Sequence, residues 1–322
     1  MLERSINVFL DLPVNKMVDI ACEAESLGFS KCWVYDEGLI TRDPYVTLAA
    51  MAQKTSKIKL GTGITNPFTR HPGITAAAIA SLNELSEGRG FLGVGAGGSL
   101  TLDPLGIPMT KPLTAVRELI ETTRALWQGE TVDFDGQIVK FASASIPYPQ
   151  PGIEIWLAGR GPKMLTMGGE LADGVALDFL YKDSLEEWVA LIRKGGESSG
   201  NQARICYSTM IVTTDKALEE VRPHMTYRLV NTPEVIRKRI GLSDEDVNAI
   251  HKAMSGGLEA AGKLVKDEWV EPFVIMGSVD ECVKEVREIT NQYDIAEFMI
   301  PILNTSEASR IMEEVNAVLG QV

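Results

Sequence analysis

The sequence predicts an α/β fold, a single (β/α)8 TIM barrel with insertions after helix four and after strand seven. Three observations predict it. Short β-rich runs alternate with amphipathic helical stretches along the whole chain, and eight strands can be counted. Right-handed crossovers between successive strands make such strands parallel. A length of 322 residues suits a closed barrel with insertions better than an open sheet.

Ile6 to Phe9 reads as the first strand. Pro13 and Asn15 open a helix in which Val14, Met17, Val18, Ala21, Ala24 and Leu27 recur at helical spacing, and Gly28 closes it. Cys32 to Tyr35 is the second strand, residues 44–54 the second helix, and Ile58 to Ile64 the third strand. Pro72 suits the first turn of a helix that runs to Leu85 and stops near Gly88. Phe91 to Val94 follows as the fourth strand, and a helix from Pro112 to Gln128 ends at Gly129.

Residues 131–141 break the alternation. Two β-rich runs there flank Asp135-Gly136, a pair that favours a two-residue hairpin turn. A proline-rich connector over 147–152 leads to the fifth strand, Ile153 to Ala158. Pro162 to Ala172 is helical and Gly174 to Leu177 is strand six. A helix near 184–195 precedes strand seven, Arg204 to Val212. Residues 216–270 are polar and helix-rich. A helix from Val279, strand eight from Ala296 to Pro301 and a helix over 306–319 complete the chain. Residues 1–322 therefore read as one domain, with insertions at about 130–150 and 230–270.

Composition narrows the function classes. Hydrophobic residues make up 45% and charged residues 23%, ordinary for a globular protein. The 31 basic and 44 acidic residues leave a net charge of −13, which argues against nucleic acid or an anionic membrane as partner. No apolar run approaches the roughly 18–20 residues that span a bilayer. The start, Met1-Leu2-Glu3-Arg4, has no signal-peptide character. Cys22, Cys32, Cys206 and Cys282 form no C-x-x-C pair, so a reducing cytoplasm is the expected location. His71, His224 and His251 are too few and too scattered for a metal centre, and none is expected. Cys32 reads as packing, and His71 as a packing or capping residue beside Pro72.

Ligands of such a barrel meet the C-terminal ends of the strands. Strand two ends in Tyr35-Asp36-Glu37-Gly38, which places two carboxyl groups at the mouth. They read either as a solvated loop or as a general acid and base tuned by burial. Strand three carries Gly61 and Gly63 before Ile64, Thr65 and Asn66; glycines inside a strand mark a barrel corner, a bulge or a close ligand. Strand four runs into Gly95-Ala96-Gly97-Gly98. This formally completes G-x-G-x-x-G, but Asp103-Pro104, Gly106 and Pro108 forbid the long helix that a dinucleotide fingerprint needs. It reads better as bare backbone against a flat ring or an anion. Strand five ends in Gly159-Arg160-Gly161-Pro162-Lys163, where a helix N-terminus and two cations could hold a phosphate, or two cations could simply sit at the surface.

Motifs carry the reading further. The run Leu60-Gly61-Thr62-Gly63-Ile64-Thr65-Asn66-Pro67-Phe68-Thr69-Arg70-His71-Pro72, then Ile79 to Arg89, Gly93-Val94-Gly95-Ala96-Gly97, Asp103 to Ile107 and Gly169 to Gly174, resembles the luciferase-like flavin- or F420-dependent oxidoreductases. The nearest branch is similar to methylenetetrahydromethanopterin reductases, and the likeness covers nearly the whole chain. It implies a mouth that holds coenzyme F420 or, alternatively, FMN. It also implies a non-prolyl cis peptide at Gly63–Ile64 behind the ring, with Thr65, Asn66 and Gly95–Gly98 near the ring and Gly159–Lys163 near the phosphate. Asp36 and Glu37 become the expected catalytic pair. The chain departs from the family pattern at Glu37, where histidine is usual, and at Asn7 and Gly98, where acids are common. The resulting expectation is hydride transfer between F420 and a small organic substrate by a homodimer or higher homo-oligomer. An FMN-dependent monooxygenase, a non-redox phosphate-binding barrel and a degenerate binding protein are the alternatives.

Overall fold

The computed structural model describes residues 2–322, and in it eight parallel strands close into a barrel. They are β1 (Glu3–Val8), β2 (Lys31–Val34), β3 (Lys59–Thr62), β4 (Gly90–Val94), β5 (Glu154–Ala158), β6 (Gly174–Asp178), β7 (Arg204–Ser208) and β8 (Glu297–Ile302). Each pairs with the next, and β8 returns to β1 with Ile6 opposite Ile300. Burial on both faces explains why these runs are nearly continuous in apolar residues rather than alternating; every residue of β2, β4 and β8 is buried. Met1, the first residue of the N-terminus read above, lies outside the described residues.

Outside the ring lie α1 (Val14–Ser26), α2 (Pro44–Ala52), α3 (Pro72–Leu85), α4 (Pro112–Trp127), α5 (Pro162–Leu171), α6 (Leu185–Ser199), α7 (Val279–Tyr293) and α8 (Ala308–Leu319). Local chemistry sets their starts. Asp43 accepts from the Tyr45 and Val46 amides at the head of α2, and Ser278 with Glu281 forms a capping box on α7. His71 caps α3 by accepting the Gly73 amide on Nδ1 at 3.1 Å, as its place beside Pro72 suggested. No helix among the described residues is long and apolar enough to cross a membrane.

Inside the barrel, Trp33, Phe91 and Trp156 stack edge-on, with ring centroids 4.6 and 5.6 Å from Trp33. Glycines make that filling possible. A Cβ on Gly61 would sit 2.5 Å from the Phe91 ring, and one on Gly174 2.3 Å from Trp156. Below the rings, the strand beginnings carry a charged floor. Lys31 is fully buried with Nζ 2.5 Å from Glu297 and 3.0 Å from Glu3, while Arg204 and Lys59 hold Glu154 at 2.7 and 2.8 Å. The open end of the barrel is the other one.

Two expected elements take a different form. The hairpin strands are Val132–Asp135 and Lys140–Ala144, joined by Gly136 to Val139 rather than by a two-residue Asp135-Gly136 turn. The cause is Glu118 of α4, whose carboxylate accepts the amides of Gln137, Ile138 and Val139 at 2.7, 3.0 and 2.8 Å and widens the turn. The expected seventh strand is interrupted. The Thr209 amide makes a last bond to the Met299 carbonyl of β8 at 3.3 Å while its hydroxyl donates to the Phe273 carbonyl at 2.6 Å, and Ile211–Val212 pairs with Ile275–Met276 instead. That small ladder closes the base of the second insertion. The helices of this region start at Asp215, in line with the polar, helix-rich stretch read over 216–270, and share an apolar cluster that includes Met225, Leu229, Trp269 and Phe273.

Candidate active site

A cavity of about 500 Å³ opens where the strands end, within the size range of small-molecule and cofactor sites. Asn7 from β1, Trp33 and Asp36–Glu37 from β2 and its loop, and Gly63, Ile64 and Asn66 after β3 line one side. Ala96–Thr101 after β4, Ala158–Arg160 from β5, Ala176 and Asp178 from β6, and Met299 from β8 line the rest.

The floor is a turn of backbone. β3 ends at Thr62, and the chain crosses the mouth through a cis peptide between Gly63 and Ile64, as the motif implied. The turn is held from three sides: the Gly63 amide donates to Val34 at 2.7 Å, the Thr65 amide to Gly93 at 3.0 Å, and the Asn7 side-chain amide to the Gly63 carbonyl at 2.7 Å. A Cβ on Gly63 would meet Asn7 Oδ1 and Trp33 Cβ, each at 2.7 Å. Asn7 Oδ1 is itself buried and accepts no hydrogen bond. A buried acceptor without a donor is unfavourable, and this one is packed against the Gly63 turn, closed off from the cavity.

The glycine loop divides into packing and lining positions. Gly95 packs, since a Cβ there would lie 2.2 Å from Ile64 Cδ1. Ala96, Gly97 and Gly98 line the cavity; Gly97 has φ +76, and a Cβ on Gly98 would meet nothing within 4 Å. A helix of only four residues follows, Ser99–Leu102, in keeping with the prolines read from the sequence.

Asp36 and Glu37 both border the cavity, each with its own hydroxyl partner. Thr65 Oγ1 donates to Asp36 Oδ2 at 2.6 Å, and Tyr45 donates to the same Thr65 hydroxyl at 3.4 Å. The Thr101 hydroxyl donates to Glu37 Oε2. Burial raises the Asp36 carboxyl above its ordinary value; Thr65 opposes the rise, and the Asp43 charge adds to it. Burial also raises Glu37, opposed by Thr101 and assisted by the Asp36 charge. Two carboxyl groups displaced toward neutrality in one cavity can exchange protons with a ligand.

The remaining expected residues are spread more widely. Gly159 and Arg160 line the cavity. Arg160 is exposed, and its guanidinium lies 3.6 Å from Asp178. Gly161 is the N-cap of α5 and Lys163 is exposed beside it, both outside the lining. Gly61 and Thr65 also lie outside it, Gly61 under Phe91 and Thr65 behind Asp36. Burial pushes the Cys32 thiol up to about 12, so it is an inert packing group. Among the described residues no group of three or more His, Cys, Asp or Glu is placed to hold a metal.

Sequence reading missed several lining groups, Asp178, Thr101 and Met299 among them. Asp178 was legible, because it is the last residue of β6 and every strand end faces the mouth. Thr101 and Met299 gave no comparable signal: one depends on the fold of an irregular loop and the other sits in mid-strand. Beyond Asp178 lies a second cavity, of about 560 Å³, that shares Tyr35, Leu100, Arg160 and Asp178 with the first.

Comparison with known proteins agrees with this architecture. The family model for luciferase-like monooxygenases matches residues 7–294. A 5,10-methylenetetrahydromethanopterin reductase from Archaeoglobus fulgidus is 36% identical over 278 residues, 83% of either chain. That from Methanolobus tindarius is 34% identical over 86% of this chain and 87% of its own. The solved structure of the coenzyme F420 dependent tetrahydromethanopterin reductase from Methanopyrus kandleri superposes with a TM-score of 0.90 at 28% identity, covering 98% of this chain and 97% of that one. With the family model spanning most of its length and reductases a third identical to it, the chain belongs to the luciferase-like monooxygenase family, in the branch that holds the F420-dependent reductases.

Proposed function

We propose that the protein transfers a hydride between coenzyme F420, held in the mouth cavity, and a small organic substrate. The observation that carries this reading is the cavity floor: bare backbone at Gly63, pinned by Asn7, beside two carboxyl groups raised by burial. The residues present fit a flat, polar ring with a phosphate. Gly63, Gly97 and Gly98 would lie against the ring, with the Asn7 side-chain amide holding the Gly63 carbonyl behind it. Arg160, Lys163 and the uncapped amides at the head of α5 would hold the phosphate. When bound, the deazaflavin supplies or accepts the hydride.

The chain's own groups handle the accompanying proton. Asp36, held through Oδ2 by Thr65, and Glu37, held through Oε2 by Thr101, each keep a fixed carboxyl group at the cavity wall. Either can give or take the proton while its pKa lies near the working pH. Trp33, Phe91 and Trp156 seal the barrel beneath and exclude water from that side.

Separate titrations of the purified protein with F420 and with FMN, followed by each cofactor's fluorescence, test the proposal. F420 should bind at least about tenfold more tightly than FMN, a difference of about 1.4 kcal/mol. Tight FMN binding with weak F420 binding would replace the reading with that of a flavin-dependent monooxygenase. Binding of neither would leave the barrel without this chemistry.

A further inference from the structure

The second cavity has a composition unlike the rest of the molecule. The chain carries 13 excess negative charges, yet this chamber is lined by two guanidiniums, Arg160 and Arg228, and by a single carboxylate, Asp178. That carboxylate is already engaged: Oδ1 accepts from Ser208 at 2.8 Å and Oδ2 lies 3.6 Å from Arg160. Arg228, from the insertion helix Asp215–Val230, makes no ion pair with any carboxylate among the described residues. Its Nη2 donates to the backbone carbonyl of Asp178 at 3.1 Å, its Nε is buried without an acceptor, and its Nη1 makes no hydrogen bond.

The other partner of Arg228 is the Phe179 ring, whose centroid lies 5.7 Å from Cζ. A guanidinium cannot escape burial by losing its proton in the ordinary range, so leaving it without a counter-ion is costly. Burial, then the Arg160 charge, pushes Arg228 down to about 10, against the pull of Asp178. The planar fork of arginine matches carboxylate and phosphate oxygens. Six further lining residues, Tyr35, Phe179, Tyr181, Trp188, Tyr227 and Phe273, are aromatic, and the rest are aliphatic or neutral polar side chains and His224. A space of about 560 Å³ also exceeds what a lone inorganic ion needs.

We propose that this second chamber is an anion subsite, in which Arg228 grips a carboxylate or phosphate group of an organic ligand and Arg160 bridges to the mouth cavity. The anion comes either from the tail of the cofactor or from the substrate. The cofactor alternative rests on the F420 reading above.

The test uses the full chain, Arg228→Met and Arg228→Lys, with three probes: F420, its riboside lacking phosphate and tail, and inorganic pyrophosphate. Unliganded Arg228→Met should melt no lower than the parent, because it removes a buried charge that has no counter-ion while keeping an apolar chain against Phe179. If the tail is the source, Arg228→Met weakens F420 by about 10- to 100-fold and the riboside by less than about twofold, with Arg228→Lys between. If the substrate is the source, F420 affinity is unchanged, while pyrophosphate stabilises the F420-loaded parent and loses that effect in Arg228→Met. The proposal is overturned if Arg228→Met leaves both F420 and pyrophosphate binding within about twofold of the parent. Should the parent bind neither F420 nor its riboside, the cofactor reading falls alone. The pyrophosphate measurement on the unliganded protein then decides the subsite.

Discussion

Asp36 and Glu37 are neighbours in sequence, but Thr65 holds one and Thr101 the other, so each can be altered without removing the other's partner. Asp36→Asn should lower turnover by about 10²–10⁴-fold, the usual contribution of an acid–base group, with little change in F420 affinity measured by fluorescence. The pH profile assigns the second role. The Asp36 charge helps to raise Glu37, so removing it should move the limb that reports Glu37 to lower pH. In Glu37→Gln that limb should vanish. Near-normal turnover in both variants across pH 5–9 would make the carboxylates bystanders. Stability should move the other way. A carboxyl group whose folded pKa is raised binds more protons folded than unfolded, so it costs stability as the pH rises from its ordinary value through the folded one. Asp36→Asn and Glu37→Gln should therefore melt above the parent at pH 7, and the gap should shrink toward pH 4. A constant gap across that range would assign it to packing rather than to charge.

At the scale of elements, Glu118 shows how one side chain can override a turn motif. It is 6% exposed and satisfies three amides of the 136–139 turn at once. Burial opposes its charge, but the amides of Val139, Ile138 and Gln137 hold its carboxyl below the ordinary value. Glu118→Ala should cost about 2–3 kcal/mol by urea unfolding and free the hairpin amides to exchange with solvent. The contribution should be full above the ordinary carboxylate pKa and fade as the pH falls through the folded one. An unchanged exchange rate would mean that the β-ladder alone holds the turn. This residue also marks where sequence reading stops. All eight barrel strands and their helices were legible, because burial on two faces writes continuous apolar runs and helical burial writes a period of 3.6. Asp135-Gly136 misled because its competing partner lies 17 to 18 positions earlier in sequence, on another element. Gly63 was legible through its motif as a position where bare backbone meets the mouth cavity. Gly61 and Gly95 look the same in sequence, and only the positions of Phe91 and Ile64 separate packing from lining.

For the whole molecule, the barrel has two chemically different ends, and the closed one supports the open one. Lys31 and Glu297 are both fully buried, and Glu297 Oε1 also accepts from the Trp33 indole at 2.9 Å, the same Trp33 that reaches the mouth cavity. Burial by itself would lower the Lys31 ammonium, but Glu297, Glu3 and Glu154 hold it above its ordinary value of 10.5. Burial likewise opposes the Glu154 charge, and Lys59, Trp156 and Lys31 bring that carboxyl to about 2. The signs define a window. Glu154 contributes fully above the ordinary value of 4.5, and its contribution is lost as the pH falls toward 2. Lys31 contributes fully below 10.5 and loses its contribution as the pH rises through the higher folded value. Lys31→Met would leave Glu297 buried without its cation and should cost about 3–5 kcal/mol in denaturant unfolding. Adding Glu297→Gln removes the stranded charge while keeping an acceptor for Trp33, so the double variant should regain more than half of that loss. F420 affinity of the double variant should stay near that of the parent, because Trp33 keeps its anchor. If Lys31→Met proves as stable as the parent, the ion pair adds nothing to the floor, and Glu297 is held by the Trp33 indole rather than by its cation.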